Sequence, residues 1–394
     1  MDTAPEHAHR PVIYLNNAAT SWPKPPEVLR AVTESFSHPF FGIGRGSGDW
    51  GQDYPSKTRE VLARFFDGDP PENFIFSQNA TDGLNTLIHG FLAAEGDRFH
   101  VLTTTLEHNS VLRPLYELQQ QGRITLDIIP FTGAMVDPES VVEAVRPGTR
   151  LMVMTHGSNV LGSVQDVQAI GDYLQDKGVY FIVDGAQTAG HIPVRLSRMP
   201  IDAYVFTGHK GLFGMPGIGG FFIRDSERVF SVRSGGTGTD SRSLSHPREM
   251  PERFEIGTPN YPGIVSLGAG VEFIESLDLN ALTQKAQHQI HDLIQEISNE
   301  PNINIYNTRP ELPIVSFNIA GLNNDDLGYI LAKRYNIIIR TGLHCAPLVH
   351  QAIDQGKGCG RVSLSWFTTN EECQAAAAAI REIAHHAYSP VRPA

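Results

Sequence analysis

The sequence predicts an α/β fold, because apolar runs alternate with helical patterns through the first half of the chain. The runs are nearly continuous and rich in β-branched residues, as in strands buried on both faces of a parallel sheet; they are HVLTTTLEH, ITLDIIPF, RLMVMTHG, YFIVDGAQ and DAYVFTGHK. The stretches VLARFF and DGLNTLIHGFLA, which precede them, have the periodicity of helices. We therefore expect helices packed on a parallel sheet.

The pattern changes near residue 266, which predicts a smaller α+β domain. Two helical stretches lead into the shorter strands INIYN, PIVSFNIAG, NIIIRTG and RVSLSWF, and a last helix follows in ECQAAAAAIREIAHHA. A chain of 394 residues is long enough for two hydrophobic cores. We place a large domain at 12–265 and a small C-terminal domain at 266–394, and we group the N-terminal segment 1–11 with the small domain.

Composition and charge narrow the classes of protein. Charged residues make up 19% and hydrophobic residues 41%, which is ordinary for an enzyme or a binding protein. A net charge of −12 without a long Lys/Arg run argues against nucleic acid or an anionic membrane as partner. No window approaches the ~18 apolar residues of a membrane helix, and the polar start lacks a signal-peptide core, so we expect a cytoplasmic protein.

The three cysteines predict neither disulfides nor a metal site. An odd number in a long chain argues against a disulfide framework. Cys345, Cys359 and Cys373 lie 14 residues apart and include no C-x-x-C pair, which argues against structural zinc. We expect Cys359, in the glycine-rich loop GKGCGR, and Cys373, in the first turn of the last helix, to be structural.

Polar residues follow the predicted strands, at the positions where ligands of open α/β sheets bind. His108 follows one strand, the segment 156–159 follows another, and Asp184 ends a third. A carboxylate at the end of so apolar a strand is unfavourable unless a partner holds it ionised. Lys210 follows a later strand, among glycines that let a bulky group approach the backbone.

Asp184 and Lys210 together favour pyridoxal phosphate (PLP) chemistry. That cofactor needs a lysine that binds it covalently and an aspartate beside its pyridinium nitrogen. Taken singly, Asp184 is better explained as the cap of a following helix, and Lys210 as a surface lysine in a glycine-rich turn. Their order, each after an apolar strand, favours the cofactor.

Nine segments, spread over nearly the whole chain, occur in the order found in one family. They are YLNNAAT, NATDGLN, LEHNS, HGSNVLG, DGAQ, TGHKG, RFEIGTPN, RTGLHCA and RVSLSWFTT. In these segments the chain resembles the class V group of PLP enzymes of fold type I, in particular the cysteine desulfurases. The resemblance implies a large domain with a mainly parallel seven-stranded sheet sandwiched by helices, a smaller α+β C-terminal domain, and PLP as cofactor.

The resemblance implies a set of residues that hold the cofactor phosphate. Thr81 and the backbone of Ala80 begin a predicted helix, whose free N–H groups and dipole favour an anion. Thr207 and His209 match further phosphate ligands. Thr258 matches a residue that touches the phosphate of a partner subunit, which implies a homodimer. Local sequence alone is equally consistent with Thr81 as an ordinary helix N-cap and with Thr258 as part of a Thr-Pro turn.

The resemblance also implies which side chains surround the cofactor ring. His108 matches a histidine that stacks on the ring, and a flat imidazole suits both stacking and proton transfer. Asn159 and Gln187 match side chains that hydrogen-bond the ring oxygen and nearby groups. A lone histidine at a strand end is more often structural, so the role of His108 depends on the resemblance.

The substrate residues are implied in the same way. Arg361 matches the arginine that binds the substrate carboxylate, for which a planar fork of donors is well suited. Asn17 matches a loop that lines the substrate pocket. Cys345 matches the nucleophile, and we group Arg340 with this set because its charge would favour the thiolate. We expect His344 or His108 to take the proton of the thiol.

The implied reaction converts L-cysteine to L-alanine and leaves the sulfur on Cys345 as a persulfide, for delivery to a protein acceptor in iron–sulfur cluster assembly or other sulfur biosynthesis. Only 16 positions separate Cys345 from Arg361, which is similar to the short-loop branch, whose members also act on L-selenocysteine. Leu343 and Gly48 stand where relatives often carry histidine. A transfer role for Cys359 is a minor alternative.

Other functions stay open from the sequence. A selenocysteine lyase, or a cystine or cysteine-sulfinate C–S lyase of the same fold, would share the cofactor residues, and the C–S lyase would not need Cys345. A non-catalytic scaffold is disfavoured by the intact Lys210, Asp184, His108 and Arg361. The run FGIGRGSGDWG does not follow a strand, so we interpret it as an active-site loop and not as a dinucleotide fingerprint.

Overall fold

The structure is a computed structural model that describes residues 11–37, 53–239 and 242–388. The FGIGRGSGDWG run with Gly48, and nearly all of the segment 1–11, lie outside the described residues. Within the described ranges, no helix is long and apolar enough to cross a membrane.

Strands and helices alternate along the described chain. The strands are β1 (Ile13–Tyr14), β2 (Phe74–Ser77), β3 (Phe99–Thr104), β4 (Ile124–Ile129), β5 (Thr149–Thr155), β6 (Tyr180–Asp184), β7 (Ala203–Thr207), β8 (Gly219–Ile223), β9 (Ile303–Ile305), β10 (Ile314–Ile319), β11 (Ile337–Ile338), β12 (Arg340–Gly342) and β13 (Cys359–Ser363). The helices are α1 (Pro26–Ser35), α2 (Tyr54–Phe66), α3 (Ala80–Glu95), α4 (Asn109–Gln120), α5 (Pro138–Ala144), α6 (Val167–Asp176), α7 (Tyr261–Glu275), α8 (Leu279–Ile297), α9 (Asn324–Tyr335), α10 (Pro347–Ile353) and α11 (Asn370–Tyr388).

The chain forms two compact units that differ from the predicted domains at their boundaries. The larger unit comprises 24–157 and 165–280, and the smaller unit comprises 1–23, 158–164 and 281–394. Residues 266–280 belong to the larger unit because α7 packs against α1 and α2. The compact units differ from the domains placed at 12–265 and 266–394 around residues 12–23, 158–164 and 266–280. The domain bounds themselves stay a prediction.

The larger unit is built on the mainly parallel seven-stranded sheet that the sequence and the family resemblance predict. Its strand order is β2-β8-β7-β6-β5-β3-β4. Strand β8 runs antiparallel to both of its neighbours, β2 and β7, and the other neighbouring pairs run parallel. Side chains on the central strands are fully buried, as Val101, Val153, Ile182 and Val205 show. Each such burial stabilises the fold by about 1.5–3 kcal/mol. Helices α2, α3, α4, α5 and α6 pack against this sheet.

Two strands of this sheet, β2 and β8, were not predicted from the sequence. Both are short, and β8 begins with Gly219 and Gly220, residues that strands usually avoid. The glycines are needed here because a Cβ at Gly220 would press on the Ile75 carbonyl oxygen at 2.5 Å. Close approach of neighbouring backbone therefore explains why this strand lacks the β-branched pattern of the others.

The smaller unit holds a four-stranded sheet of order β12-β13-β10-β9 and a two-stranded sheet of β1 and β11. The N-terminal segment enters this unit because Leu15 and Asn17 hydrogen-bond the backbone of Ile338 and Ser363. Helices α8, α9 and α11 supply the other side of its core, which includes Phe317, among other fully buried side chains.

The structure corrects one local prediction in this unit. The sequence placed Cys359 in a glycine-rich loop, but Cys359 is the first residue of β13 and is fully buried. It pairs with Gly342 at the end of β12. Pairing with β12 extends the strand into the glycines, which local propensity could not predict.

We expect Gly185→Ala to lower the free energy of unfolding by about 1–3 kcal/mol, as overpacking of a core does. A methyl group at Gly185 would overlap the ring and hydroxyl of Tyr204, which is itself fully buried. Denaturant unfolding measures the change. The matched control is Gly236→Ala, because a methyl group there meets nothing within 4 Å; equal stability losses in the two variants would contradict the packing explanation.

Candidate active site

The predicted cofactor residues of the larger unit lie along one edge of its sheet. Strands β7, β6, β5 and β3 are neighbours and run parallel, so their carboxyl ends meet at the same edge. Thr207 ends β7, Asp184 ends β6, and His108 follows β3. This is the edge at which open α/β sheets bind ligands.

Asp184 is a buried carboxylate at the end of the central strand β6. Its side chain is 4% exposed, and Oδ1 accepts a hydrogen bond of 2.9 Å from the backbone N–H of Ala186. Burial raises the pKa of Asp184, while that hydrogen bond and the positive charge of Lys210 lower it. The carboxylate therefore favours a cationic or N–H partner, as a pyridinium nitrogen provides.

Lys210 lies in the turn that follows β7 and is half-buried. The adjoining Gly211 packs closely against Ala189. A Cβ at Gly211 would lie only 2.4 Å from the Ala189 carbonyl oxygen and would have to displace it. Beside it, burial, together with the charges of Lys210 and Lys24, lowers the pKa of His209 to about 4. His209 is therefore a neutral imidazole at neutral pH.

Lys24 is a cation of this region that sequence reasoning missed. Its Nζ donates a hydrogen bond of 3.1 Å to the backbone carbonyl of His209. Burial lowers the pKa of Lys24 to about 8. The only sequence signal is its place in SWPKPP shortly after the YLNNAAT segment, and nothing local distinguishes it from a surface lysine.

The predicted phosphate ligands offer donors that suit an anion. Asn79 caps α3, and its side chain accepts from the N–H of Asp82, so Ala80 and Thr81 are the first two residues of the helix. Ala80 is buried and Thr81 is exposed. The hydroxyl of Thr207 is buried and has no hydrogen-bond partner among the described residues. An unpartnered buried hydroxyl and a helix start are groups that a phosphate would satisfy.

Thr258 lies on an exposed loop of the larger unit, close to the start of α3. It lines a cavity of about 200 Å³ together with Gln78, Asp82 and Arg233. Arg233 donates to Asp82 at 3.2 Å, so one cation already stands at this cavity. The predicted contact of Thr258 with a partner subunit stays a prediction.

The side chains expected around the ring have fixed orientations. The Nδ1 atom of His108 accepts from the N–H of Ser110 at 3.1 Å, so the proton of the neutral ring is on Nε2. His108 caps α4 by this bond. Gln187 is 4% exposed and follows Asp184 by three residues. Together with Asp184, Lys210 and the phosphate donors, these groups fit PLP in number and chemical type.

Arg361 is the buried cation of the smaller unit. It lies on β13 and is 3% exposed, and Nη1 donates a hydrogen bond of 2.7 Å to the Asn159 carbonyl. Its Nε has no hydrogen-bond partner among the described residues. Burial lowers the pKa of Arg361 to about 10, so it stays charged at neutral pH. A buried guanidinium with an unused donor suits a substrate carboxylate.

Asn159 joins Arg361 to the loop that carries Cys345. Its backbone carbonyl accepts from Arg361, and its Nδ2 donates a hydrogen bond of 2.7 Å to the His344 carbonyl. Three residues of the loop have positive φ, with values of +103° at Gly342, +48° at His344 and +59° at Cys345. Such φ values are unfavourable for residues other than glycine, so the loop needs this external support.

Cys345 is exposed, and His344 beside it is buried. The Nε2 atom of His344 lies 3.2 Å from the Cys359 carbonyl oxygen. Burial, together with the charge of Arg361, lowers the pKa of His344 to about 2. Such an imidazole is a poor proton acceptor at neutral pH, which favours His108 over His344 as the acceptor of the thiol proton, and the role of His108 stays a prediction.

The other two predicted substrate residues are placed differently. Asn17 is buried, and its side chain is engaged within the chain: Nδ2 donates to the carbonyls of Tyr14 and Ser363, and Oδ1 accepts from Trp22 N–H. Arg340 is exposed and pairs with Arg361 across β12 and β13. Both substrate roles stay predictions, and the bonds of Asn17 show that it holds the N-terminal segment on β13.

Comparison with known proteins places the chain in a family. The sequence model described as Aminotransferase class-V matches residues 13–375. The chain belongs to the class-V aminotransferase family. A protein of Methanothermobacter thermautotrophicus named probable cysteine desulfurase is 31% identical over 382 residues, 94% of each chain. A cysteine desulfurase of Shigella sonnei is 30% identical over 374 residues, 92% of this chain and 91% of that protein.

A solved structure gives the same result for the fold of this class-V protein. The apo structure of a cysteine desulfurase from Thermococcus onnurineus NA1 matches with a TM-score of 0.89 and 28% identity, over 95% of both chains. The family resemblance drawn from the nine segments is confirmed, and so is the α/β fold with its mainly parallel sheet.

Glu107 is a buried carboxyl group that sequence reasoning missed, although it immediately precedes His108. Its Oε1 accepts from the Thr104 hydroxyl at 2.6 Å and from the Thr155 N–H at 3.0 Å, so it joins the ends of β3 and β5. Burial, opposed by those two hydrogen bonds and assisted by the charge of Asp184, raises the pKa of Glu107 to about 8. The group is therefore largely protonated at neutral pH, beside the candidate cofactor edge.

We expect Asn159→Ala to lower kcat for product formation about tenfold, which corresponds to roughly 1.4 kcal/mol, the scale of one buried hydrogen bond. The loss arises because the positive-φ loop with Cys345 loses its support. The control is Asn302→Ala, which also removes a buried amide donating to a backbone carbonyl, at 2.6 Å to Ala384. Steady-state kinetics and unfolding curves are measured on both variants. If the two variants have equal kcat values and equal stabilities, Asn159 does not hold the loop.

We expect the free energy of unfolding of Glu107→Gln, compared with that of the natural protein, to increase as pH rises. The folded pKa of about 8 lies above the ordinary value of 4.5, so the contribution of Glu107 is full below about pH 4.5 and is lost as pH rises through 8. The amide keeps the acceptor oxygen and does not titrate. Denaturant unfolding at about pH 5 and about pH 8.5 checks this, with the exposed Glu72→Gln as control; a difference independent of pH would contradict the buried acid.

Proposed function

We propose that this protein is a PLP-dependent cysteine desulfurase that converts L-cysteine to L-alanine and takes the sulfur onto Cys345 as a persulfide. The observation that carries the proposal is that Asn159 connects, within the smaller unit, the loop of an exposed thiol to a buried guanidinium. Cys345 is among the groups whose charge acts on Arg361, and Asn159 bonds to both Arg361 and the loop of Cys345. Named relatives with the same activity support it.

The larger unit would hold the cofactor. Lys210 would bind it covalently, Asp184 would accept a hydrogen bond from its ring nitrogen, and the start of α3 with Thr207 would hold its phosphate. His108 and Gln187 would complete the surroundings of the ring, with Asn159 assigned to the ring oxygen by the family pattern. When bound, PLP supplies an electron sink that makes the substrate α-proton acidic and the carbon–sulfur bond labile.

The chain's own residues perform the remaining steps. Arg361 would bind the substrate carboxylate by its N–H donors, and the Lys210 amine would move the substrate α-proton. The Cys345 thiolate attacks the substrate sulfur, so that a sulfur–sulfur bond forms as the carbon–sulfur bond breaks. The electron pair of the broken bond stays with the carbon, which takes up a proton and leaves as L-alanine.

The finer assignments belong to the same proposal. Thr258 lies on an exposed loop beside the start of α3, which suits a residue shared across a homodimer. The exposed position of Cys345 suits delivery of the persulfide to a protein acceptor, such as one that feeds iron–sulfur cluster assembly. L-Selenocysteine is the second substrate proposed, since its carbon–selenium bond is cleaved by the same groups.

We expect Cys345→Ala to lose alanine formation from L-cysteine while keeping the visible absorption of the lysine-bound cofactor, because Cys345 contacts the substrate sulfur and not PLP. Lys210→Ala should lose that absorption. Alanine release in the presence of a reductant measures turnover, and Cys373→Ala is the control because Cys373 is buried in α11.

Two outcomes would contradict the proposal. Full alanine production by Cys345→Ala would favour a C–S lyase acting on cystine or cysteine sulfinate, which needs no nucleophilic thiol. A protein that never acquires cofactor absorption on reconstitution would favour a non-catalytic scaffold.

A further inference from the structure

Behind the Cys345 loop, three potential metal ligands of the smaller unit converge from three consecutive parts of the chain. His344 comes from the loop, His350 from the last turn of α10, and Cys359 from the first residue of β13. All three are buried, with 6%, 0% and 0% of their surface exposed. One ligand atom of each residue lies within 4.8 Å of the other two.

The distance between two of these atoms is already that of a metal site. The Sγ of Cys359 lies 3.5 Å from Nε2 of His344. In a tetrahedral zinc site, with Zn–S near 2.3 Å and Zn–N near 2.0–2.1 Å, sulfur and nitrogen ligands lie about 3.6 Å apart. The strand pairing of Cys359 with Gly342 fixes this approach, since Gly342 begins the loop that contains His344.

His350 has the support expected of a metal-binding histidine. Its Nδ1 lies 2.6 Å from Oδ2 of the buried Asp354, one helical turn later. The carboxylate holds the ring proton on Nδ1, which leaves Nε2 with a lone pair. That Nε2 is fully buried and has no hydrogen-bond partner among the described residues. Carboxylates that orient histidines in this way are typical of zinc sites.

We propose that His344, His350 and Cys359 form a binding site for a divalent transition metal, with zinc as the preferred ion. Two imidazoles and one thiolate suit zinc better than the hard cations Mg²⁺ and Ca²⁺, which prefer oxygen ligands. The ion displaces the thiol proton of Cys359 to solvent and satisfies the Nε2 of His350. It also replaces the contact of the His344 Nε2 with the Cys359 carbonyl oxygen, which is 3.2 Å long without metal. Asp354 is a positioning residue that acts through His350.

The site gives the chain a function beyond the proposed desulfurization. A metal bound to His344 would hold the backbone next to Cys345, the same loop that Asn159 supports from its other side. A metal-bound Cys359 is also unavailable as a sulfur carrier. The competing explanation is a metal-free core in which the Cys359 thiol donates to His344, and the experiment below separates the two.

The test measures zinc on the full-length, PLP-loaded protein without any substrate. The protein is stripped with a chelator, incubated with zinc chloride and a phosphine reductant, desalted, and analysed for metal by mass spectrometry. We expect about one zinc per chain, and affinity at least about tenfold lower in Cys359→Ser and His350→Gln. Cys373→Ser and Cys345→Ser are controls for a buried and an exposed thiol outside the three ligands, and both should keep the zinc.

Cobalt(II) substitution provides a second measurement that does not depend on the folding of a variant. Cobalt bound by a thiolate gives visible d–d absorption at longer wavelengths than PLP, and this should appear in the natural protein and not in Cys359→Ser. A natural protein that retains no zinc after desalting, or one whose zinc is lost in Cys345→Ser and kept in Cys359→Ser, would overturn the site. Neither outcome depends on whether the protein desulfurizes cysteine.

Discussion

The burial of the Asp184 carboxylate is the constraint on which the candidate cofactor site depends. Asp184 ends β6 in the middle of the seven-stranded sheet and is buried from water. It accepts a hydrogen bond from the backbone N–H of Ala186. Burial alone would favour the neutral acid, and the charge of Lys210 opposes it. The protonated ring nitrogen of the proposed cofactor would supply a partner here, which would explain why a costly carboxylate stands at the end of an apolar strand.

The same edge of the sheet is electrostatically divided between groups kept neutral and groups kept charged. Glu107 is held as the acid and His209 as the neutral base, in both cases chiefly because they are buried. Lys210 and Lys24 are the cations of this group near the end of β7, and the carboxylate of Asp184 lies at the end of the neighbouring β6. A dianionic phosphate and a cationic ring nitrogen complement such an arrangement better than an uncharged ligand does.

The smaller unit presents the thiol of Cys345 on a backbone of unfavourable conformation. His344 and Cys345 both have positive φ, which few residues other than glycine adopt. Three supports hold them: the amide of Asn159, the β12–β13 pairing, and the contact of His344 with Cys359. Asn159 therefore links Arg361, the proposed carboxylate ligand, to the position of Cys345, the proposed nucleophile.

Sequence reasoning predicted the parallel strands and the family, because buried strands have strong apolar patterns and the family segments are specific. It did not predict β2 and β8, whose glycines are dictated by close backbone approach, or Glu107 and Lys24, whose roles arise only from burial. The cysteine spacing argued against zinc, yet the proposed zinc ligands include two histidines. The strand pairing that brings Cys359 to His344 is a tertiary contact, which spacing rules do not contain.

The most direct test of the proposed chemistry is to locate the transferred sulfur. After brief reaction with L-cysteine, blocking of thiols and digestion with trypsin, Cys345, Cys359 and Cys373 fall in separate peptides because Lys357 and Arg361 lie between them. Mass spectrometry should find one added sulfur atom on the Cys345 peptide and none on the other two. Alanine formed in equal amount with no sulfur on Cys345, or with the sulfur on Cys359, would contradict Cys345 as the nucleophile.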